Sequence, residues 1–175
     1  MANCCWFSMK AVSDSKDSLE RLRSIMKYED SEFFLYRLFS CDDDDEVSES
    51  SETPGLFEIL IYGDVAWGAS PWVNDLEDTE KKASNGAHYT NLQRVCSALN
   101  VSVEVWTQED GVGFQEHILV NNKGESSYDS LDIKFTDSGD ESEVVGGFED
   151  YGSFLDASEM WVDDSGDEGK VVSVG

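Results

Sequence analysis

An excess of carboxylates restricts this chain to folds that keep charge at the surface and close an apolar core inside. The 175 residues include 38 Asp and Glu but only 12 Lys and Arg, a formal net charge of −26. Repulsion between so many negative charges opposes a compact fold. However, 11% of the residues are aromatic, whereas disordered acidic chains are poor in large apolar side chains. The composition therefore predicts one folded domain inside a dense negative shell.

Hydrophobic periodicity predicts a strand, a helix and a second strand in the first part of the chain. Residues 3–12 alternate in polarity as a half-buried strand does. The apolar face of this strand is Cys5, Phe7, Met9 and Ala11. After this strand, apolar residues recur at helical spacing as far as residue 28. The predicted helix begins at Asp14 or Ser15, both of which are suitable N-caps. Residues 33–41 are apolar on both faces and predict a strand that is central or covered.

The composition changes abruptly after residue 41. Residues 42–55 contain no basic residue and little that a core could bury, so we expect a mobile acidic loop. Residues 56–67 alternate again and predict a strand, and apolar spacing predicts a second helix over about 86–99. Residues 101–121, with a turn at 109–111, predict a hairpin.

The order β-α-β-β-α-β, with an extra hairpin strand paired to the last, predicts an α+β fold of the ferredoxin-like type. This arrangement is an antiparallel sheet with two helices on one face. We expect it over residues 1–124, and residues 125–175 are expected to be an acidic C-terminal extension that docks partly on the domain. The aromatic residues that indicate docking are Phe148, Tyr151, Phe154 and Trp161.

Three short motifs resemble a known family. They are Met1-Ala2-Asn3-Cys4-Cys5-Trp6, Ala66-Trp67-Gly68-Ala69-Ser70-Pro71 and Glu109-Asp110-Gly111-Val112-Gly113-Phe114. Over roughly residues 1–124 the chain thereby resembles the YubB-type ferredoxin-like proteins of phages and plasmids. In that family the first Trp usually stands at position 4 and two Pro follow the Ser of the turn, whereas here the first Trp stands at position 6 and a single Pro follows Ser70. The resemblance implies a mobile-element origin and the βαββαβ fold. It implies no enzymatic activity, so no catalytic residue is carried over.

The residue types needed for catalysis or metal binding are scarce or badly spaced. The chain has two histidines, His88 and His117, and Cys96 lies two helical turns from His88 but on the apolar stripe. An EF-hand needs Gly at loop position six, where Val47 or Glu168 stands if the loop begins at Asp42 or Asp163. We therefore expect no enzyme, no catalytic residue, no cofactor and no dedicated metal site.

Targeting signals are also missing from the sequence. The first residues lack the basic start and apolar stretch of a signal peptide, and nowhere do eighteen apolar residues run together. The four cysteines form no CxxC pair and are expected to be reduced thiols. We expect a cytoplasmic protein of the host cell that does not contact the membrane.

The charge indicates a basic protein as partner. Nucleic-acid binding needs a Lys and Arg footprint that neutralises phosphates, so we expect no direct binding to nucleic acid. Instead, the chain presents negative charge, as nucleic acid does, to a basic groove on another protein. We expect an inhibitor from a phage or plasmid that mimics nucleic acid toward a host defence nuclease, either a CRISPR-Cas effector (an anti-CRISPR activity) or a restriction enzyme. The alternatives are a non-enzymatic regulatory module for another basic host protein, such as a histone-like factor or polymerase, and an enzyme with a carboxylate-bound metal.

The candidate partner-binding residues are the clustered carboxylates, which an alternative interpretation treats as solubilising only. They are Asp42, Asp43, Asp44, Asp45, Glu46, Glu49, Glu52, Asp75, Glu77, Asp78, Glu80, Asp137, Asp140, Glu141, Glu143, Asp163, Asp164, Asp167 and Glu168. Trp72, Trp161 and Phe148 are candidate apolar anchors beside them, with burial in the core as the alternative.

Overall fold

A computed structural model describes residues 3–35, 37–42, 45–73, 82–138 and 141–164. Eleven strands and three α-helices are assigned within these ranges. In chain order they are β1 (Cys4–Ser13), α1 (Lys16–Met26), β2 (Phe33–Leu35), β3 (Leu38–Cys41), β4 (Ser48–Glu49), β5 (Phe57–Ala66), β6 (His88–Thr90), α2 (Leu92–Leu99), β7 (Ser102–Glu109), β8 (Phe114–Val120), β9 (Ser126–Asp132), β10 (Lys134–Ser138), β11 (Glu141–Val145) and α3 (Ala157–Met160).

The main sheet is antiparallel throughout and gives the molecule an α+β architecture. Its strand order is β3-β5-β1-β7-β8-β9, and the short β4 also pairs with β5. Two smaller pairs lie outside it: the antiparallel hairpin β10-β11 and the parallel pair β2-β6. Because β9 pairs with β8 along its whole length, the main sheet continues past residue 124, where the sequence placed the domain boundary.

The two longer helices pack against one face of this sheet. Ser15 accepts a hydrogen bond from the Ser18 N–H and so caps α1, while Asn91 caps α2 through the Arg94 N–H. The apolar stripe of each helix joins the face of β1 predicted from its alternation, and all of these residues lie in one buried cluster. The shared members are Cys5, Phe7, Met9 and Ala11 with Leu19, Leu22, Ile25, Met26, Leu92, Val95, Cys96 and Leu99. The predicted face of β1 and the predicted stripe of α1 are confirmed, whereas the stripe of α2 begins at Leu92, because Tyr89, which was expected in it, lies in β6.

Two predicted elements have different bounds, for a shared reason. The second helix begins at Leu92, not near residue 86, because residues 88–90 form β6 and pair in parallel with β2. Residues 33–41 are likewise not one strand. Arg37 has a positive φ of 65° between β2 and β3, and the two strands join different sheets. The long-range β2-β6 pairing thus overrides local periodicity in both segments.

The expectation that residues 42–55 have little to bury is not met in their described part, which pairs with the sheet. β4 pairs with β5, with Ser48 opposite Glu58 and Glu49 opposite Phe57. Val47 is buried in the main core, and the N–H of Ser50 donates to the Leu56 carbonyl at 2.8 Å. The acidic segment is therefore fastened to the sheet edge from residue 47 onward.

The second face of the sheet is covered by the C-terminal segment, defined here as residues 146–164. The Trp106 Nε1–H donates to the Ser153 carbonyl at 3.0 Å. A second apolar cluster joins Val12 of β1 and Leu56 to Ala157 and Met160 of the C-terminal segment. The centre of the sheet is therefore covered on both sides, by helices on one and by this segment on the other. No described helix has the length and apolar character needed to cross a membrane.

Replacing Phe7 with alanine tests the helix-side core. The Phe7 ring is fully buried and packs edge-on against Trp72, with centroids 5.4 Å apart. We expect Phe7→Ala to lower the free energy of unfolding by about 3–5 kcal/mol, because the cavity it leaves is enclosed. Phe135→Ala, at a ring that is 39% exposed, should cost much less. Urea unfolding measures both, and equal losses would contradict this description of the core.

Candidate functional site

Glu116 is a buried carboxylate that joins the turn after β5 to the sheet. It accepts hydrogen bonds from the N–H of Ala69 at 2.7 Å and of Ser70 at 3.3 Å. It also accepts from the Thr107 hydroxyl at 2.6 Å and the Tyr128 hydroxyl at 3.0 Å. Four donors compensate the burial of this charge, so its role is to hold the turn.

Glu109 does the same for the β7-β8 turn. Its carboxylate accepts from the backbone N–H of Gly111 at 2.9 Å and of Gly113 at 3.1 Å, and also from the N–H of Val112. Glu109 is itself buried, and Gly113 has a positive φ of 89° with the Ile133 carbonyl oxygen 2.5 Å from where a Cβ would stand. Two motifs that carry the family resemblance, at residues 66–71 and 109–114, are thus turns organised by buried carboxylates.

The two buried thiols, Cys5 and Cys96, are not set up for nucleophilic chemistry. Burial raises the pKa of Cys5 to about 12, and the nearby charges of Glu116 and Glu109 add to the rise. Burial also raises the pKa of Cys96, which lies in the core while His88 is exposed on β6. Neither thiol is a thiolate at neutral pH, so neither is an activated nucleophile.

A third buried carboxylate, Glu104, lies at the centre of the second sheet face. Its Oε1 is 2.8 Å from Nε2 of His117, and its Oε2 accepts from the Leu155 N–H at 2.7 Å. The register explains the cluster: Lys10 lies opposite Glu104, and Trp106 lies opposite His117, on which its ring stacks with centroids 3.8 Å apart. The Lys10 Nζ donates to the Leu155 carbonyl at 2.9 Å.

This arrangement clamps the C-terminal segment instead of opening a reaction site. Both backbone groups of Leu155 are held by side chains of the sheet, one by Glu104 and one by Lys10. Glu104 and His117 are 1% and 5% exposed, so substrate has no access to the pair. Alternation along β7 predicts an exposed Glu104. The signals for burial are the aromatic residues of the C-terminal segment, two of which, Phe148 and Tyr151, pack on Trp106.

The predicted partner-binding carboxylates are only partly described. The predicted carboxylates that lie within the described residues and are exposed are Asp42, Glu46, Glu49, Glu52, Glu143, Asp163 and Asp164. Asp45 is half-buried, and its carbonyl accepts from Arg23. Asp137 and Glu141 have described strand positions, in β10 and β11. The remainder lie outside the described residues: Asp43, Asp44, Asp75, Glu77, Asp78, Glu80, Asp140, Asp167 and Glu168.

One of these residues meets carboxylates that the sequence did not single out. Glu52 hydrogen-bonds with the carboxyl group of Asp156 in the C-terminal segment, and that bond, followed by the charge of Asp156, raises the pKa of Glu52. Glu58 raises it further, whereas Lys10 lowers it. Docking on the second sheet face brings these groups together, and no local sequence pattern indicates it.

Positive side chains concentrate around α1, where carboxylates neutralise them. Arg21 pairs with Asp30 at 3.0 Å and with Glu32, and Arg23 pairs with Glu20 at 3.1 Å. Although burial raises the pKa of Asp30, its hydrogen bonds with Arg21 and the backbone hold that pKa below the ordinary value. Surface charge at this end is therefore largely balanced.

Residues 125–164 are less balanced: among the described ion pairs, one reaches this region, between Lys123 and Asp164. Residues 125–164 contain 13 Asp and Glu but one Lys, Lys134. We call the exposed described carboxylates of this region the acidic surface. They are Glu125, Asp129, Asp132, Glu143, Glu149, Asp150, Asp156, Glu159, Asp163 and Asp164. The anchor candidates adjoin it differently: Trp72 is fully buried in the main core, while Trp161 and Phe148 belong to the C-terminal segment and are half-buried where it packs on the sheet.

Within the described ranges, no three His, Cys, Asp or Glu side chains come together as a metal-binding group. Comparisons with protein-family models, with curated proteins and with solved structures find no match. The acidic surface and the clamp beneath it are thus the features on which a functional proposal rests.

Replacing Lys10 tests the clamp. Lys10→Met keeps the apolar stem but removes the donor to the Leu155 carbonyl, so we expect the free energy of unfolding to fall by about 1–3 kcal/mol. Amide hydrogen exchange at Leu155 should accelerate. Lys16→Met, at an exposed position of α1, is the matched control. Unchanged exchange at Leu155 would show that Lys10 does not hold the segment.

The Glu52–Asp156 contact predicts a pH dependence. Because the folded-state pKa of Glu52 is raised, its stabilising contribution is present below the unfolded-state pKa and is lost as pH rises through the folded-state value. Carboxyl-carbon NMR titration should place Glu52 above an ordinary glutamate. Asp156→Asn, which retains a capping side chain for α3, should return it to the ordinary range, and Asp163→Asn should not. A normal titration in the unaltered protein would disprove the contact.

Proposed function

We propose that this protein is a non-enzymatic inhibitor that occupies the basic nucleic-acid-binding surface of another protein. The target class is a host defence nuclease, either a CRISPR-Cas effector or a restriction enzyme, and the origin implied by the resemblance is a phage or plasmid. The observation that carries the proposal is the acidic surface, ten exposed carboxylates within residues 125–164, a stretch whose sequence contains one lysine.

Electrostatics supplies the mechanism. A groove that binds duplex DNA is lined with Lys and Arg because the duplex presents one negative charge per about 1.7 Å of its axis. A protein that displays carboxylates can enter such a groove, displace the same counterions and exclude the nucleic acid. Association of this kind is fast because of steering, and it weakens as salt screens the charges.

The fold supports this use of the carboxylates by holding part of them on ordered backbone. Asp129 and Asp132 belong to β9 and lie opposite His117 and Phe114 of β8. Residues 148–162 are fastened to the sheet through Glu104, Trp106 and Asn122. Carboxylates on a preorganised backbone lose less conformational entropy on binding than those of a free tail, so more of the interaction free energy is retained.

The underlying scaffold is consistent with the resemblance. We infer that β1, α1, β3, β5, α2 and β7 form the βαββαβ unit, since the strand order β7-β1-β5-β3 and the antiparallel pairings between these neighbours are those of the split βαβ arrangement. The remaining strands are additions to that unit. β9 to β11, which carry part of the acidic surface, are among the additions.

Inhibition assays with two charge-matched variants test the proposal. Purified CRISPR-Cas effectors and restriction endonucleases are titrated with the protein at several salt concentrations. Asp129→Asn/Asp132→Asn/Glu143→Gln removes three charges from the acidic surface, and Asp14→Asn/Asp17→Asn/Glu29→Gln removes three near α1. For a nuclease that is inhibited, we expect the first variant to weaken inhibition about tenfold and the second to change it by less than about twofold.

Competitor DNA should relieve the inhibition, and added salt should weaken it steeply. Equal effects of the two variants would show that overall charge, and not the acidic surface, is responsible. Binding to a basic protein without any loss of that protein's DNA affinity would favour the regulatory module instead. Failure to inhibit any nuclease of either class would refute the proposal.

A further inference from the structure

β9 ends the main sheet, and one side of its backbone has no strand beside it among the described residues. All seven of its residues are exposed. An edge strand of this kind presents a row of unpaired N–H and C=O groups to which another extended chain can add.

The register identifies which backbone groups face outward. The Asn121 N–H donates to the Glu125 carbonyl and the Ile133 N–H donates to the Gly113 carbonyl, each at 2.9 Å, which fixes the hydrogen-bonded pairs of β8 and β9. By alternation, residues 127, 129 and 131 direct their N–H and C=O groups toward β8. The outward-facing groups therefore belong to Ser126, Tyr128, Ser130 and Asp132, and Gly146 lies close to the carbonyl of the last of these.

Charge selects the chemistry of the strand that can add here. Asp129 and Asp132 lie on β9 itself, and Glu143 lies on the neighbouring hairpin, with Lys134 as the single cation of this region. A second copy of this chain would add further carboxylates to this edge, and like charges across a strand pair destabilise it. A segment rich in Lys and Arg brings opposite charges into the same positions.

A cavity beside the beginning of β9 fits one such cationic side chain. Its volume is about 290 Å³, and Ser126 and Ser127 form part of its wall. Leu119 and Trp161 contribute apolar surface, and the carboxylates of Glu125 and Glu159 also line it. Lys and Arg combine an apolar stem with a charged end, and no cation lines the cavity among the described residues.

We propose that β9 accepts an extended cationic segment of the partner as an added strand, with one Lys or Arg side chain of that segment in the cavity next to Ser127. The proposal rests on the proposed function, because it specifies how the basic partner is held. Backbone hydrogen bonds to Ser126, Tyr128 and Ser130 give the affinity, and the carboxylates select cationic side chains.

A synthetic peptide of alternating Lys and Val is the probe, and the same peptide with Glu in place of Lys is its control. We expect the Lys peptide to slow amide hydrogen exchange at Ser126, Tyr128 and Ser130 of the full chain, and the Glu peptide to leave it unchanged. Absence of protection at millimolar Lys peptide would overturn the proposal. So would a concentration-dependent dimer of this chain that protects the same amides without peptide.

Two substitutions at one position separate the backbone from the side chain. Ser130→Pro removes an outward N–H without removing a bond to β8, and proline is tolerated on the outer side of an edge strand. Ser130→Ala removes the hydroxyl but keeps the N–H. We expect Ser130→Pro to weaken peptide binding about tenfold, whereas Ser130→Ala should change it by less than about twofold.

Replacing the two carboxylates that line the cavity with isosteric amides tests the placement of the cationic side chain. Glu125→Gln/Glu159→Gln keeps side-chain oxygens that can accept from Asn121 Nδ2 and from the Asp156 N–H, as the carboxylates now do, but removes both charges. We expect severalfold weaker binding of the Lys peptide, and an unchanged affinity would overturn the placement of the cationic side chain.

The same variants in the nuclease assay distinguish the two proposals. If Ser130→Pro inhibits normally while neutralising the acidic surface abolishes inhibition, strand addition is wrong and the inhibitor proposal stands. If both variants inhibit as the unaltered protein does, both proposals fail.

Discussion

Closure of the second sheet face by the C-terminal segment is the interaction on which the rest of this structure depends. Glu104 accepts from the Leu155 N–H while paired with His117, and Lys10 donates to the Leu155 carbonyl. A buried carboxylate is costly unless donors surround it, so Glu104 and the segment stabilise each other's positions. Without this contact Trp106 would also be exposed, and the acidic surface would lose much of its ordered backbone.

A net charge of −26 is compatible with this fold because the carboxylates fall into two groups. Glu104, Glu109 and Glu116 are buried: Glu109 and Glu116 each accept from two or more donors, and Glu104 accepts from the Leu155 N–H and contacts Nε2 of His117. Exposed carboxylates remain solvated, where repulsion is weaker and is screened beyond roughly 8 Å at physiological ionic strength. Their uneven distribution along the chain leaves residues 125–164 with 13 Asp and Glu but one Lys, and Lys123 pairs with Asp164 from just outside that stretch.

Local patterns predicted the elements whose partners are set by a single buried face. The alternation of Phe7, Met9 and Ala11 and the apolar stripe of α1 are examples, and both lie in the main core. Sequence reasoning failed where a distant segment decides the structure. β2 and β6 pair across more than 50 residues, Val47 is buried because β4 reaches β5, and Glu104 is buried because residue 155 returns to cover it. The clustering of carboxylates in the sequence identified Glu52 as a candidate. It could not identify Asp156 as its neighbour, because the two residues are brought together by docking of the C-terminal segment.

The carboxylates of β9 have two consequences for an exposed edge. An unpaired strand edge is a liability because copies of the same chain can pair through it, and edge charge opposes that pairing. Lysine serves this purpose in many proteins, but here the charges are Asp129 and Asp132. Repulsion between copies and attraction of a cationic strand then arise from the same side chains, and both weaken together as salt screens them. Exclusion of self and selection of a basic partner are thus one electrostatic property of this edge, with the backbone register determining where the partner lies.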